Sequence, residues 1–242
     1  MPRLFVPIAL NPQTRVILPE GAAHKVREVL RARVGSTLTL FDGRGGEYPG
    51  VLEACQRDRV EVALGEREEV GRESALQITL AQGISRGERM DYTLQKAVEL
   101  GVTRIVPLAS ARSQVKLEGE RAARRLAHWQ GIITHACEQS GRDRLPVLEE
   151  IQSLQDFMTG DSAALKLTLT PTARETLASA VVGKVSVSLV IGPEGGLDPL
   201  EIERLVAAGY RGVRLGPRIL RTETAALVAL SVLQFVAGDL SQ

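Results

Sequence analysis

Ile191-Gly192-Pro193-Glu194-Gly195-Gly196 and, further on, Leu215-Gly216-Pro217-Arg218-Ile219-Leu220-Arg221-Thr222-Glu223-Thr224-Ala225 decide how this chain is read. The first stretch closes an apolar run, Val185 to Ile191, that reads as a buried strand. The second follows a shorter run, Gly212 to Leu215, and opens a long apolar helix. Two neighbouring strand ends therefore present loops shaped by glycine and proline. In open α/β sheets, ligands bind outside the carboxyl ends of the strands. Glycine in such a loop lets a ligand approach the backbone closely. Glu194, Arg218, Arg221 and Glu223 add more charge than a plain turn needs. A pair of ordinary strand-to-helix turns would explain either loop alone more easily than both together.

Upstream, the pattern after Ser74 is consistent with such a sheet. Strands are expected at Leu76–Ile84, Arg104–Leu108, Ala164–Leu169, Val185–Ile191 and Gly212–Leu215. Helical spacing lies between them: Met90, Leu94, Ala97 and Val98 before Gly101, then Leu126, Trp129, Ile132, Ile133 and Ala136. Trp129 shares a face with apolar residues and reads as core, not as a base-stacking platform. A third helix covers Leu200 to Ala208, with Asp198 as N-cap and Pro199 in the first turn. The last helix, Thr222 to Val236, is apolar around much of its circumference. Strand–helix alternation argues for a mainly parallel α/β sheet over residues 74–242.

The first seventy residues are different. Short runs at Leu4–Ile8, Arg15–Leu18, Thr37–Phe41, Tyr48–Leu52 and Val60–Leu64 are separated by turn signals such as Asp42-Gly43-Arg44-Gly45-Gly46. One amphipathic helix carries Ala22, Ala23, Val26, Val29 and Leu30. A small β-barrel over residues 1–70 is expected, with the charged segment Gly65–Ser74 as linker.

Among the 242 residues, Cys55 and Cys137 are the only cysteines, and neither they nor the three histidines have metal-ligand spacing. No metal and no disulfide are expected. No apolar run approaches the length of a membrane span, and the N-terminus lacks a signal-peptide core, so a cytoplasmic protein without membrane association is expected. The net charge of +1 does not announce a nucleic-acid binder, but the first 45 residues carry a basic excess. The P-loop and the G-x-G-x-x-G dinucleotide fingerprint are absent from the sequence, and no Ser/His/Asp set is evident.

The two loops, with Glu201, resemble the 16S rRNA uridine-N3 methyltransferase family of the knotted SPOUT class. Other segments agree: Arg86-Gly87-Glu88-Arg89-Met90-Asp91 with Gln95-Lys96-Ala97 and Glu99-Leu100-Gly101-Val102; Glu138-Gln139-Ser140-Gly141-Arg142 with Pro146; His24 with Val29-Leu30-Arg31. Leu197-Asp198 stands where the family more often has an aromatic residue and a serine, and Arg86 where it more often has lysine. The resemblance implies an N-terminal PUA-like barrel, a C-terminal α/β domain with a deep trefoil knot, and S-adenosylmethionine bound in that knot. It also implies a homodimer, with 16S rRNA or the small ribosomal subunit as substrate and N3-methyluridine as product.

On that reading Leu169, Gly192, Gly196, Leu215, Gly216, Ile219, Leu220 and Thr224 hold the cofactor. Uridine N3 is protonated at neutral pH, so the enzyme must take its proton or stabilise charge spreading onto O2 and O4. Glu194 is the candidate base, the alternative being a carboxylate that caps nearby backbone N–H groups. Arg221 is the candidate for the developing charge, the alternative being phosphate positioning. Arg3, Arg27, Arg31, Arg33 and Arg142 are expected to hold RNA, with a surface salt bridge the alternative for Arg142. N3 lies on the Watson–Crick edge, so the target must be unpaired or flipped out. Two rivals remain: a methyltransferase acting elsewhere, such as a ribose 2′-hydroxyl, and a non-catalytic RNA-binding assembly protein.

Overall fold

A computed structural model describes residues 1–113, 117–181, 183 and 185–241. The chain divides into two compact units, one of Met1–Glu73 with Cys137–Leu145, the other of Ser74–Ala136 with Pro146–Gln242.

The first unit is built on β1 (Arg3–Phe5), β2 (Arg15–Ile17), β3 (Thr37–Phe41), β4 (Tyr48–Cys55) and β5 (Val60–Leu64), in the sheet order β1-β3-β4-β5-β2. β1 runs parallel to β3, and the other pairs are antiparallel. Alternation along β5 buries Val60, Val62 and Leu64, which pack with Leu38, Leu40 and Leu52. The expected single helix is a short α1 (Glu20–His24) continued by a π-helical turn over Lys25–Val29. It presents Ala22, Ala23 and Val26 to this core but leaves Val29 and Leu30 exposed.

Two expectations of domain layout need correction. Residues 65–74 do not form a free linker. The Gly65 N–H donates to Pro49 O (2.7 Å), and Glu68 exchanges backbone hydrogen bonds with Glu47. Nor is the second unit continuous, because residues 137–145 belong to the first. They are tied there by buried and half-buried polar bonds: Arg142 Nη2 to Glu73 Oε2 (2.7 Å), Lys25 Nζ to Glu138 Oε2 (2.7 Å), and Gly46 N–H to Asp143 Oδ2 (2.7 Å). Leaving such a partner buried and unpaired costs more than forming the bond gains.

The second unit holds an all-parallel sheet of β6 (Gln77–Gly83), β7 (Arg104–Ala109), β8 (Val147–Leu148), β9 (Gln152–Ser153), β10 (Leu165–Leu169), β11 (Ser186–Ile191) and β12 (Arg211–Val213). Its order is β12-β10-β11-β6-β7-β8, with β9 also on β7. Central strands β6 and β11 pair Leu80 with Leu189 and Ala81 with Val190, all buried. Such two-sided burial is why these runs read as continuous apolar stretches. Helices α2 (Glu88–Glu99), α3 (Gly119–Ser140), α4 (Leu154–Gly160), α5 (Leu177–Val181), α6 (Pro199–Ala207) and α7 (Thr222–Ala237) accompany the strands. Asp198 closes a capping box with Glu201 at the start of α6. Trp129 is buried and donates its indole N–H to Asp91 Oδ1 (3.1 Å). Cys55 and Cys137 are free thiols, and burial pushes the Cys137 thiol up to about 11.

Candidate active site

The carboxyl ends of β10, β11 and β12 open into a cavity of about 550 Å³ in the second unit. The loop after β11 and the loop between β12 and α7 form most of its wall. Leu169, Gly192, Gly196, Leu215, Gly216, Ile219 and Leu220 all line it, as do Glu194 and Arg221. Thr224 does not: it sits exposed on the first turn of α7. The neighbouring Thr222 is the buried hydroxyl. It donates to Gly192 O (2.7 Å) and accepts from Gln82 Nε2 (3.0 Å), so one side chain fastens both loops to β6.

Gly192 is required by the loop itself. A Cβ there would stand 2.7 Å from the Leu197 nitrogen and 2.8 Å from the Gly196 carbonyl carbon, both backbone atoms that cannot swing away. Gly192→Val is therefore expected to abolish ligand binding by unfolding this loop, not merely by filling the cavity. Isothermal titration with S-adenosylmethionine on a variant shown to be folded by circular dichroism checks this. Normal affinity would place the site elsewhere.

Glu194 is bound more tightly than a base should be. Its Oε1 accepts from the Arg86 N–H (2.9 Å) and from Arg89 Nη1 (3.1 Å). Burial alone would push the carboxyl up, but the N–H groups of Arg86 and Glu194 itself and the Arg89 guanidinium outweigh it. The carboxyl is held below its ordinary value, which makes it a weaker proton acceptor. Of the two readings of Glu194, the geometry favours the capping carboxylate, which joins the loop after β11 to the start of α2.

Glu223 lies in the first turn of α7 and lines the cavity. One of its oxygens is 3.9 Å from Arg89 Nε; the other, Oε2, is buried with no partner among the described residues. The Thr170 hydroxyl, also on the wall, is likewise unpartnered. Arg89, Arg214, Arg218 and Arg221 give the cavity a cationic rim. Among the described residues, the backbone N–H groups of Leu215, Gly216, Ile219 and Leu220 donate to no protein acceptor. Apolar walls, free amide donors and orphaned oxygens together fit a nucleoside-like ligand. No group of three or more metal-ligating side chains occurs among the described residues, and no helix there is long and apolar enough to cross a membrane.

The arginines expected to hold RNA separate into two sets, all within the first unit. Arg3 is mostly buried, bonded to Glu47 Oε2 (2.8 Å) and the Cys137 carbonyl (3.0 Å), and stacked over Phe41. Arg142 is 5% exposed and forks onto Glu73. Both are structural, and neither guanidinium faces a surface open to phosphate. Arg27 is paired with Glu20 (2.8 Å). Arg31, at φ +49°, and Arg33 are exposed.

A parallel sheet with a polar-rimmed apolar cavity at its strand ends defines an α/β domain that takes a nucleoside-type ligand. The RNA methyltransferase domain family matches residues 72–234, and the RNA methyltransferase PUA domain matches residues 27–64. The chain belongs to the RNA methyltransferase family, in its SPOUT branch, with a PUA-like N-terminal unit. A ribosomal RNA small subunit methyltransferase E from Neisseria gonorrhoeae, solved with S-adenosylmethionine bound, is 39% identical with a TM-score of 0.93, covering 99% of each chain. A Legionella pneumophila protein described as a methyltransferase, also solved with S-adenosylmethionine, is 42% identical with a TM-score of 0.95, covering 98% of each chain. The ribosomal RNA small subunit methyltransferase E of Bacillus subtilis is 32% identical over 88% of this chain and 86% of its own length.

Proposed function

We propose that this chain is an S-adenosylmethionine-dependent ribosomal RNA methyltransferase that acts on N3 of a uridine in the small-subunit RNA, as a homodimer. The observation that carries the reading is the cavity, where an apolar wall and free backbone donors stand beside Arg221 and Glu223, whose Oε2 has no hydrogen-bond partner among the described residues. Leu169, Leu215, Ile219 and Leu220 would hold the adenine faces, and the free N–H groups of the loop its polar edge. When bound, S-adenosylmethionine supplies a methyl group on a sulfonium, which departs as a neutral thioether. Arg221 stabilises the negative charge that spreads over the uracil oxygens as N3 loses its proton. Glu223, rather than Glu194, accepts that proton, and the N–H electron pair stays on N3 to form the new N–C bond. An enzyme of this kind works mainly by holding its reactants in line.

Labelled S-adenosylmethionine incubated with isolated small subunits or their RNA, followed by digestion and identification of the nucleoside, tests the reading. N3-methyluridine is the expected product. A ribose 2′-O-methyl nucleoside would move the reaction to the other acceptor, and RNA binding without cofactor binding would make the chain an assembly factor.

Helix α7 supports the dimer. It lies against α2 and α5, yet Val228 and Phe235, seven residues apart on one face, remain exposed, Phe235 at 62%. A helix this apolar is poorly solvated alone, and a twofold partner is the commonest cover. Multi-angle light scattering at micromolar concentration is expected to give twice the chain mass. A monomer would overturn the assignment.

A further inference from the structure

We infer that Arg44 and Arg144 of the first unit form a clamp for the phosphates of an RNA strand. The inference rests on the reading of the chain as an RNA-acting enzyme and names where that unit grips its substrate. It replaces Arg3 and Arg142, whose guanidinium groups are consumed inside the unit.

Arg44 and Arg144 face each other in an isolated antiparallel bridge. The flanking bonds run from Gly45 N–H to Asp143 O (3.2 Å) and from Leu145 N–H to Gly43 O (3.3 Å). That pattern makes Arg44 and Arg144 a non-hydrogen-bonded pair, the arrangement in which opposing side chains stand closest. Two like charges so placed repel each other. Neither guanidinium has a carboxylate within ion-pair distance among the described residues, and both residues are exposed. The nearby acids are occupied: Asp42 accepts from the Arg44 and Leu10 N–H groups, and Asp143 from Gly46.

The surroundings are shaped for these side chains. A Cβ on Gly45, which has φ +100°, would lie 2.7–2.9 Å from the Arg144 guanidinium, so that group rests flat on the glycine. Arg67 lies in the same way over Gly46 and donates to Gly45 O (2.8 Å). The glycine pair that reads in sequence as a turn signal thus seats two guanidinium planes beside a third arginine. Arg67 is itself paired with Glu69, whereas the unneutralised Arg44 and Arg144 suit the phosphodiester oxygens of a polynucleotide, which guanidinium groups bind in a planar fork.

The test measures binding of a fluorescein-labelled fragment of small-subunit ribosomal RNA to the full chain by anisotropy, across a series of KCl concentrations. The wild type, Arg44→Ala/Arg144→Ala and Arg31→Ala/Arg33→Ala are compared, with S-adenosylmethionine affinity and melting temperature measured on each. The Arg44/Arg144 variant is expected to bind RNA about tenfold more weakly at low salt. The slope of log K against log salt should fall in magnitude by about 1.4, since each of the two phosphates left without its cation on a single strand removes about 0.7. Cofactor affinity stays unchanged, and the melting temperature holds or rises as the repulsion is relieved. Unchanged RNA affinity and slope in that variant, or a loss confined to the Arg31/Arg33 variant, would overturn the clamp while leaving the methyltransferase reading intact. A wild type that transfers no methyl group to the RNA would instead remove the reading on which the clamp rests.

Discussion

Replacing Glu223 by glutamine is expected to slow single-turnover methyl transfer by about a hundredfold or more, the usual scale of lost general-base catalysis. The residual rate should climb with pH as the uracil N3 ionises without help. Glu194→Gln should behave in the opposite way. Its carboxylate is held below the ordinary value in the folded chain, so its contribution to stability is complete above the unfolded-state pKa and disappears as pH falls through the depressed folded value. The variant should therefore melt below wild type at neutral pH, the gap closing in acid, with a smaller loss of rate that pH does not restore. Rates against pH and melting curves against pH separate the two carboxylates. A wild-type rate in Glu223→Gln at neutral pH eliminates it as the proton acceptor.

Arg221→Ala is expected to lower the rate about a hundredfold while cofactor affinity, measured by calorimetry, stays near wild type. Arg221 is exposed at the N-cap of α7, and its side chain makes no capping bond, so the fold has little to lose. Arg221→Lys should recover only part of the rate, because lysine presents a point charge and not a planar fork. An equal fall in RNA affinity and rate would assign Arg221 to phosphate positioning instead.

The strand ends and their loops were legible because continuous apolar runs broken by glycine and proline have few other readings. β7 and α7 begin where the pattern places them. The short elements were not legible: β8 and β9 are two residues each, too brief for any period, and α5 has five. Most of the cavity wall could be read because it is made of backbone and apolar side chains local to two loops. The polar assignments were harder. Whether an arginine is free or consumed depends on a carboxylate far away in the chain, as Arg142 and Glu73 show across 69 positions. Sequence proximity likewise could not tell that Glu194 Oε1 is held by Arg86 and Arg89 while Glu223 Oε2 is buried without a hydrogen-bond partner among the described residues.

Residues 137–145 bear on the birth of the molecule at the ribosome. The first 73 residues emerge without the acid that pairs Lys25, the carboxylate that receives the Gly46 N–H, or the guanidinium that neutralises Glu73. Those groups arrive only after β6, β7 and most of α3 have been synthesised. The N-terminal unit must therefore wait, incomplete, while the polypeptide that closes it is still being translated. Domains ordinarily fold in the order of their appearance; here the earlier one is finished by a later instalment. A nascent chain interrupted before residue 137 would carry an N-terminal unit with three polar groups left open, a state for chaperones or proteases to recognise.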